Sequence, residues 1–344
     1  MKRQLTLLIC IAAALIFALS SCKDDVPSAL GSTGKTNEII IVASNRIGMN
    51  HPVVDTLKEY FMQYDTQLPQ LESLYDVIVV TDKEFNSQST IHRHHNLLIV
   101  NYDPSLEKSG VTSRKNVWAQ PQRVIQFNLN SDADFQKLFD THKSSILQLF
   151  DENELIRAQD ITEFGKSIGL ADEVYKQFDI IMNIPAGFSV AKKSSDFIWF
   201  KQTRHNEKQD MIASIMIWKR PYTTELQFST DSIINSRNDV AKKYVEGSVP
   251  HSYMKTATSY IYPQTEVISN YVTDFAIETR GLWEMQGDFM GGAFISYTFA
   301  HPYTGQLIAI EAFLYNPNNP KRPLLRQLES IIRNIKFPDK PATT

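Results

Sequence analysis

The first half of the chain carries three short runs that are apolar at consecutive positions: Ile39-Ile40-Ile41-Val42, Val77 to Val80, and Leu97 to Val100. Runs of this length are expected of strands buried on both faces. Gln122 to Leu129 instead alternates, with Ile125, Phe127 and Leu129 on one side, as a half-buried strand does. Val53, Val54, Leu57, Tyr60, Phe61 and Tyr64 recur at helical spacing, and Pro52 is tolerated in the first turn of that helix. Ser131 with Asp134 three residues on is close to a capping box. It opens a helix whose apolar face is Phe135, Leu138, Phe139, Ile146, Leu149 and Phe150, and a polar helix is expected over roughly 151–168.

From residue 171 the pattern changes to short strands: Ile180–Ile184, Phe197–Lys201, Met211–Trp218, Glu266–Val272, Phe275–Thr279, Ala293–Phe299 and Leu307–Tyr315. A helix near 230–245 interrupts them, and a last one carries Leu324, Leu325, Leu328, Ile331, Ile332 and Ile335 on one face. The expected class is α+β: a mixed α/β domain over 38–150, a helical connector over 151–170, an antiparallel-sheet α+β domain over 171–337 and a tail at 338–344. The order of elements in the second domain is similar to PsbP-like domains, an analogy of fold that carries no function.

The N-terminus gives an address. Lys2 and Arg3 precede Leu5 to Leu19, an apolar stretch too short for a comfortable membrane span, so residues 1–21 read as a signal peptide. It ends in Leu19-Ser20-Ser21-Cys22, an aliphatic residue and two small ones before a cysteine, which is the lipobox pattern. Cys22 is the expected lipid attachment site, and residues 22–37 the expected flexible, lipidated tether. The expected location is the outer membrane, with the membrane as partner through the lipid. Lys23-Asp24-Asp25 leaves cell-surface and periplasmic display both open.

Composition narrows the chemistry. Cys10 and Cys22 are the two cysteines, so a mature chain has no pair for a disulfide. Removing Lys2 and Arg3 takes the formal charge from −3 to −5, and no basic run suggests nucleic acid. The chain shows no P-loop, dinucleotide fingerprint or G-x-S-x-G elbow, and no cofactor is expected. His92-Arg93-His94-His95 is read as a solvated loop rather than a metal site, because no third ligand at a fitting spacing accompanies it. Glu278, Glu284 and Asp288 are near one another, but the glutamates alternate with apolar residues as on a solvated sheet face.

Three stretches carry a resemblance: NYDP (Asn101–Pro104), NVWAQPQ (Asn116–Gln122) and RGLWEMQGDFMGGAFIS (Arg280–Ser296). With the lipobox and the length, the chain resembles a family of Bacteroidota lipoproteins known as a domain of unknown function. The resemblance implies a membrane-anchored envelope protein and lends no catalytic residue. Arg280–Ser296 mixes an arginine with Trp283, Met285, Phe289 and Met290, residue types enriched in binding surfaces. Two readings stay open for it: a binding loop, or a hairpin with Trp283 in the core. The expected working surface is a cleft between the domains lined by Trp118 and the Arg280–Met290 loop, with Arg280, Trp283, Asp288 and Phe289 as binding residues. The expected function is a non-catalytic binding or assembly factor with an envelope protein or glycan partner. The alternative is an envelope hydrolase of peptide or glycan using carboxylates near Glu278 to Asp288.

Overall fold

The computed structural model describes residues 30–163, 165–205, 210–269 and 271–339. The expected signal peptide, Cys22 and Lys23-Asp24-Asp25 lie outside the described residues.

The apolar runs of the first half become three adjacent strands of a five-stranded sheet, in the order β2-β1-β3-β5-β4; two of them are central, but Val77 to Val80, expected to be buried on both faces, forms the edge strand and leaves Ile78 half exposed. Its strands are β1 (Glu38–Ala43), β2 (Asp76–Thr81), β3 (Asn96–Tyr102), β4 (Gly110–Lys115) and β5 (Arg123–Leu129). The first four in spatial order run parallel, and β4 is antiparallel to β5. Every residue of β1 is buried, as a central strand covered on both faces requires. One face packs Ile39, Ile41, Leu98, Ile125 and Phe127 against α1 (Pro52–Phe61) and α4 (Asp132–Glu163). The other packs Ile40, Val42, Leu97 and Val124 against α2 (Asp82–Ser87) and the loop around Trp118. A further short helix, α3 (Ser89–His92), leads into β3. Local chemistry sets the helix starts. His51 accepts from the Val53 amide with Pro52 in the first turn of α1, Thr81 and Glu84 close a reciprocal capping box on α2, and Ser131 Oγ accepts from the Asp134 amide on α4.

Two expectations give way here. The helices expected on either side of residue 150 are one, α4, of 32 residues. Its second half looks polar because it buries Asn153 and Glu154 beside only a few apolar side chains, Leu155 and Ala158 among them. Residues 30–36, expected in the flexible tether, lie along the sheet instead. Thr33 bridges His94, Gly31 bridges Gln120, and Arg157 donates to the Gly34 carbonyl.

The second half forms an eight-stranded antiparallel sheet in the order β10-β12-β13-β14-β9-β8-β7, with β11 beside β10 on the edge of β12. The strands are β7 (Ser189–Lys193), β8 (Phe197–Arg204), β9 (Met211–Pro221), β10 (Tyr253–Ala257), β11 (Gln264–Ile268), β12 (Ala276–Gln286), β13 (Gly291–Ala300) and β14 (Gln306–Tyr315). One face packs against α5 (Ile168–Phe178) and α7 (Arg322–Arg333), the other against α6 (Thr230–Tyr244). The expected strand at Ile180–Ile184 shrinks to β6 (Ile181–Met182), which pairs with β15 (Ile335–Lys336). Arg280–Ser296 is a hairpin, with Trp283 opposite Gly292 and Glu284 opposite Gly291.

The two sheets meet through α4 and α7. Glu72 accepts from the backbone amides of Lys321 and Arg322 at the start of α7, at 2.7 and 3.0 Å. Arg326 reaches from α7 to Asp151 on α4 at 2.6 Å, and Tyr75 donates to the same carboxylate.

Candidate functional site

Helix α6 covers only part of its face of the large sheet. What fixes it there is Arg237, 1% exposed, which donates Nε and Nη2 to the two oxygens of Glu311 at 2.8 Å each, with its guanidinium 4.0 Å from the Phe294 ring centroid. The helix ends at Tyr244 and the chain turns away through Val245 to Ser252 before entering β10. Beyond that end no helix among the described residues covers the sheet, and a cavity of about 340 Å³ remains. Its floor comes from alternate residues of four strands: Trp199 and Lys201 on β8, Ile212 on β9, Phe313 and Tyr315 on β14, and Trp283 and Met285 on β12. Val245 to Ser248 and Met290 form the walls.

The lining is mostly apolar, with Lys201, Glu246 and Ser248 as its polar side chains. The indole N–H groups of Trp199 and Trp283 are both buried with no acceptor among the described residues. Trp283 itself is 3% exposed. A buried donor left unpaired costs about 1–3 kcal/mol, and both of these are covered by protein atoms and do not open into the cavity. Phe313 stands between the indoles, its centroid 6.1 Å from that of Trp199 and 5.6 Å from that of Trp283.

The residues singled out in the sequence fall in different places. Trp283, Met285 and Met290 line the cavity. Arg280 points to the opposite face of β12, where it bonds Glu278 at 2.6 Å and Glu329 of α7 at 2.7 Å. Glu278 also accepts from Tyr297, so it sits in a charge cluster against α7 and not on a solvated face. Although burial pushes Glu329 upward, Arg280, Arg326 and Arg333 around it hold its carboxyl below the usual range. Glu284 pairs with Lys255 across the sheet edge. Asp288 accepts from the Ser248 hydroxyl and amide and from the Phe289 amide, which holds its carboxyl low and ties the hairpin to the cavity wall. Phe289 projects fully into solvent at the hairpin tip. Trp118 packs against Phe85 and His92 in the N-terminal half and does not meet the others.

The histidine cluster is not a solvated loop. His94 and His95 are buried, with rings stacked at 4.5 Å. His94 Nε2 faces Glu38 at 3.1 Å. His95 Nδ1 faces the Thr33 carbonyl at 2.8 Å and its Nε2 faces Glu154 at 2.6 Å. Burial, with His95 alongside, pushes the His94 imidazole down to about 4. The contacts to Glu38, Thr33 and Glu154 each join segments far apart in sequence, so nothing local announced them. The cavity was missed in the same way at Trp199 and Lys201; the readable signal was their spacing of two residues on one expected strand, Phe197–Lys201.

Residues 168–334 match the family model DUF4837 and residues 32–163 match DUF8532, each described as a domain of unknown function. Together they cover most of the chain, which supports an uncharacterised family. The Saccharomyces cerevisiae Ran-binding protein Mog1p is similar in structure at 10% identity, covering 50% of this chain and 93% of its own, with a TM-score of 0.31. A point mutant of Mog1 gives 9% identity over 46% and 90%, also at 0.31. LpqN, involved in cell envelope biogenesis of Mycobacterium tuberculosis, gives 10% identity over 46% and 82%, at 0.27. No curated protein matches. Among the described residues no helix is long and apolar enough to cross a membrane.

Proposed function

We propose that this protein is a lipid-anchored envelope lipoprotein acting as a non-catalytic binding factor, with the cavity beyond α6 as its ligand site. One observation carries the site: a largely apolar cavity of about 340 Å³ floored by Trp199, Trp283, Met285, Phe313 and Tyr315 where α6 leaves the sheet uncovered. That size lies in the range of small-molecule pockets, where a mostly apolar lining with a few placed polar groups is the usual composition. The carboxylates considered for hydrolysis each have a separate partner: Glu278 with Arg280, Glu284 with Lys255 and Asp288 with Ser248. The anchor rests on the sequence Leu19-Ser20-Ser21-Cys22. Outer-membrane placement and an envelope ligand follow from that anchor.

Native mass spectrometry of protein extracted gently from envelopes tests the site. A bound small molecule is expected on the wild type and absent from Ile212→Trp, which fills the cavity. A ligand-free wild type, or a ligand retained by Ile212→Trp, would overturn the assignment. For the anchor, Cys22→Ser is expected to lose acyl label and leave the membrane fraction; a variant that loses label yet stays there would sink the anchoring argument.

A further inference from the structure

We propose that the edge strand β11 is a docking site for a second polypeptide, which adds to the sheet as an extended strand of alternating aliphatic and basic residues. The site lies at the start of α6, whereas the cavity lies past the end of that helix, so neither needs the other. β11 pairs with β12 in unbroken register, from Gln264 opposite Arg280 to Ile268 opposite Ala276. No strand flanks its other side among the described residues. A free edge presents unpaired N–H and C=O groups, and proteins commonly guard it with charge or distortion. The edge strand β4 carries Arg114 and Lys115, and β7 carries Lys192 and Lys193 with a break in register after Val190. β11 has no basic residue, no proline and no bulge. An edge of that kind is what strand addition uses.

The side chains say what the added strand must carry. The Thr265 and Thr230 hydroxyls are 2.7 Å apart, so Thr265 and Val267 look toward α6 and Glu266 toward the other face. Val267 is 60% exposed there. On the same side Tyr262 donates to Asp231 of α6 at 2.7 Å, and half-exposed Phe275 meets the Phe228 ring at 4.9 Å. Leu226, two residues before Phe228, is 76% exposed. Adjoining exposed apolar and aromatic side chains mark a surface that a partner covers. Charge narrows the partner. No lysine or arginine occurs over residues 221–236 or 256–279, while Glu225, Asp231, Glu266 and Asp274 are exposed. Arg220, which donates to the Gln227 carbonyl at 3.4 Å, is half-buried. This corner is therefore acidic and suits a basic strand, whose aliphatic residues cover Val267 and Phe275 while its basic ones emerge beside Glu266. A second copy of this chain would instead bring an equally acidic edge against the first.

The test uses the full chain and three fluorescent seven-residue peptides: Lys-Val-Lys-Val-Lys-Val-Lys, its all-glutamate counterpart, and the basic one with proline for its central valine. Anisotropy gives affinities, and hydrogen exchange locates the contact. The basic peptide is expected to bind about tenfold or more tighter than either control, more weakly as salt rises, and to slow exchange within Gln264–Ile268. Val267→Lys is expected to weaken it about tenfold at an unchanged melting temperature, and Val267→Ile to retain it. An acidic or proline peptide that binds equally well, unchanged exchange in β11, full affinity in Val267→Lys, or no binding at all would each overturn the proposal. Dimerisation lost in Val267→Lys would give the edge to a second copy, and binding of maltoheptaose in place of peptide would give the tyrosines to a glycan; either result overturns it as well.

Discussion

The indole of Trp283 lies across Gly292, with its Nε1 3.0 Å from where a β-carbon on that glycine would stand. The same β-carbon would collide with the Leu314 carbonyl on β14, which is backbone and cannot yield. Gly292 is what lets a tryptophan lie flat against the strand and close one end of the cavity. Gly292→Ala is expected to cost about 1–3 kcal/mol, the usual cost of overpacking. Trp283→Ala is expected to cost about 3–5 kcal/mol. Urea denaturation of the two variants checks both figures, and a Gly292→Ala protein as stable as wild type would contradict the packing described.

Arg237 and Glu311 form a fully buried pair, with side chains 1% and 0% exposed. Glu311→Leu strands a guanidinium and is expected to cost about 3–5 kcal/mol. Adding Arg237→Met should recover most of that loss, because no buried charge remains. Stabilities of wild type, both single variants and the double variant give the coupling; additive losses would show that the pair is not coupled.

Acid should weaken the N-terminal half through His94. Its folded pKa, about 4, lies below its ordinary value of 6.5, so the unfolded chain binds the proton more readily. The stability is therefore fully present above 6.5 and is lost as pH falls from there toward 4, on the order of 3 kcal/mol in all. Burial opposes the ionised form of Glu38, but the Lys35 amide and His94 hold it below its usual range, which adds a loss of the same sign at lower pH. Denaturation midpoints measured between pH 7 and pH 4 should fall steeply for wild type and less for His94→Gln. Equal slopes would remove His94 as the cause.

Gly34 has φ +106° and lies against the stacked imidazoles, where a β-carbon would come within 2.7 Å of His95 Nδ1. Gly34→Ala combines a disfavoured backbone region with a clash, and a loss of more than about 1 kcal/mol is expected. Hydrogen exchange at Thr33 and His95, whose amides hold this bridge, should rise in step; protected amides in the variant would argue that the segment is not seated as described.

The apolar runs were legible because a buried central strand writes its environment into consecutive residues, as Ile39 to Val42 do. The edge strand β4 was not, since Gly110 to Lys115 is mostly exposed and carries Arg114 and Lys115, charges of the kind that guard an edge. The stretch around Trp283 stood out by composition, but a sequence does not tell which face of a strand looks at what. Arg280 and Trp283 are three residues apart and belong to opposite sides of the sheet, one to a charge cluster and one to a cavity. The burial of His94 and His95 was hidden because their carboxylates, Glu38 and Glu154, lie 56 and 59 residues away.

The carboxylate of Glu72 caps a helix that begins 250 residues later in the chain. At ~5–20 residues per second, a ribosome takes roughly 12–50 s to supply that helix after Glu72 is made. From the time Asp151 is made, Glu72, Asp76 and Asp151 are present without the Lys321, Arg322 and Arg326 that later meet them. The half-made protein is thus more acidic on this side than the finished one, and like charges there discourage two nascent chains from sticking to each other. Synthesis of α7 removes that repulsion only when the chain has its own partner ready to cover the surface.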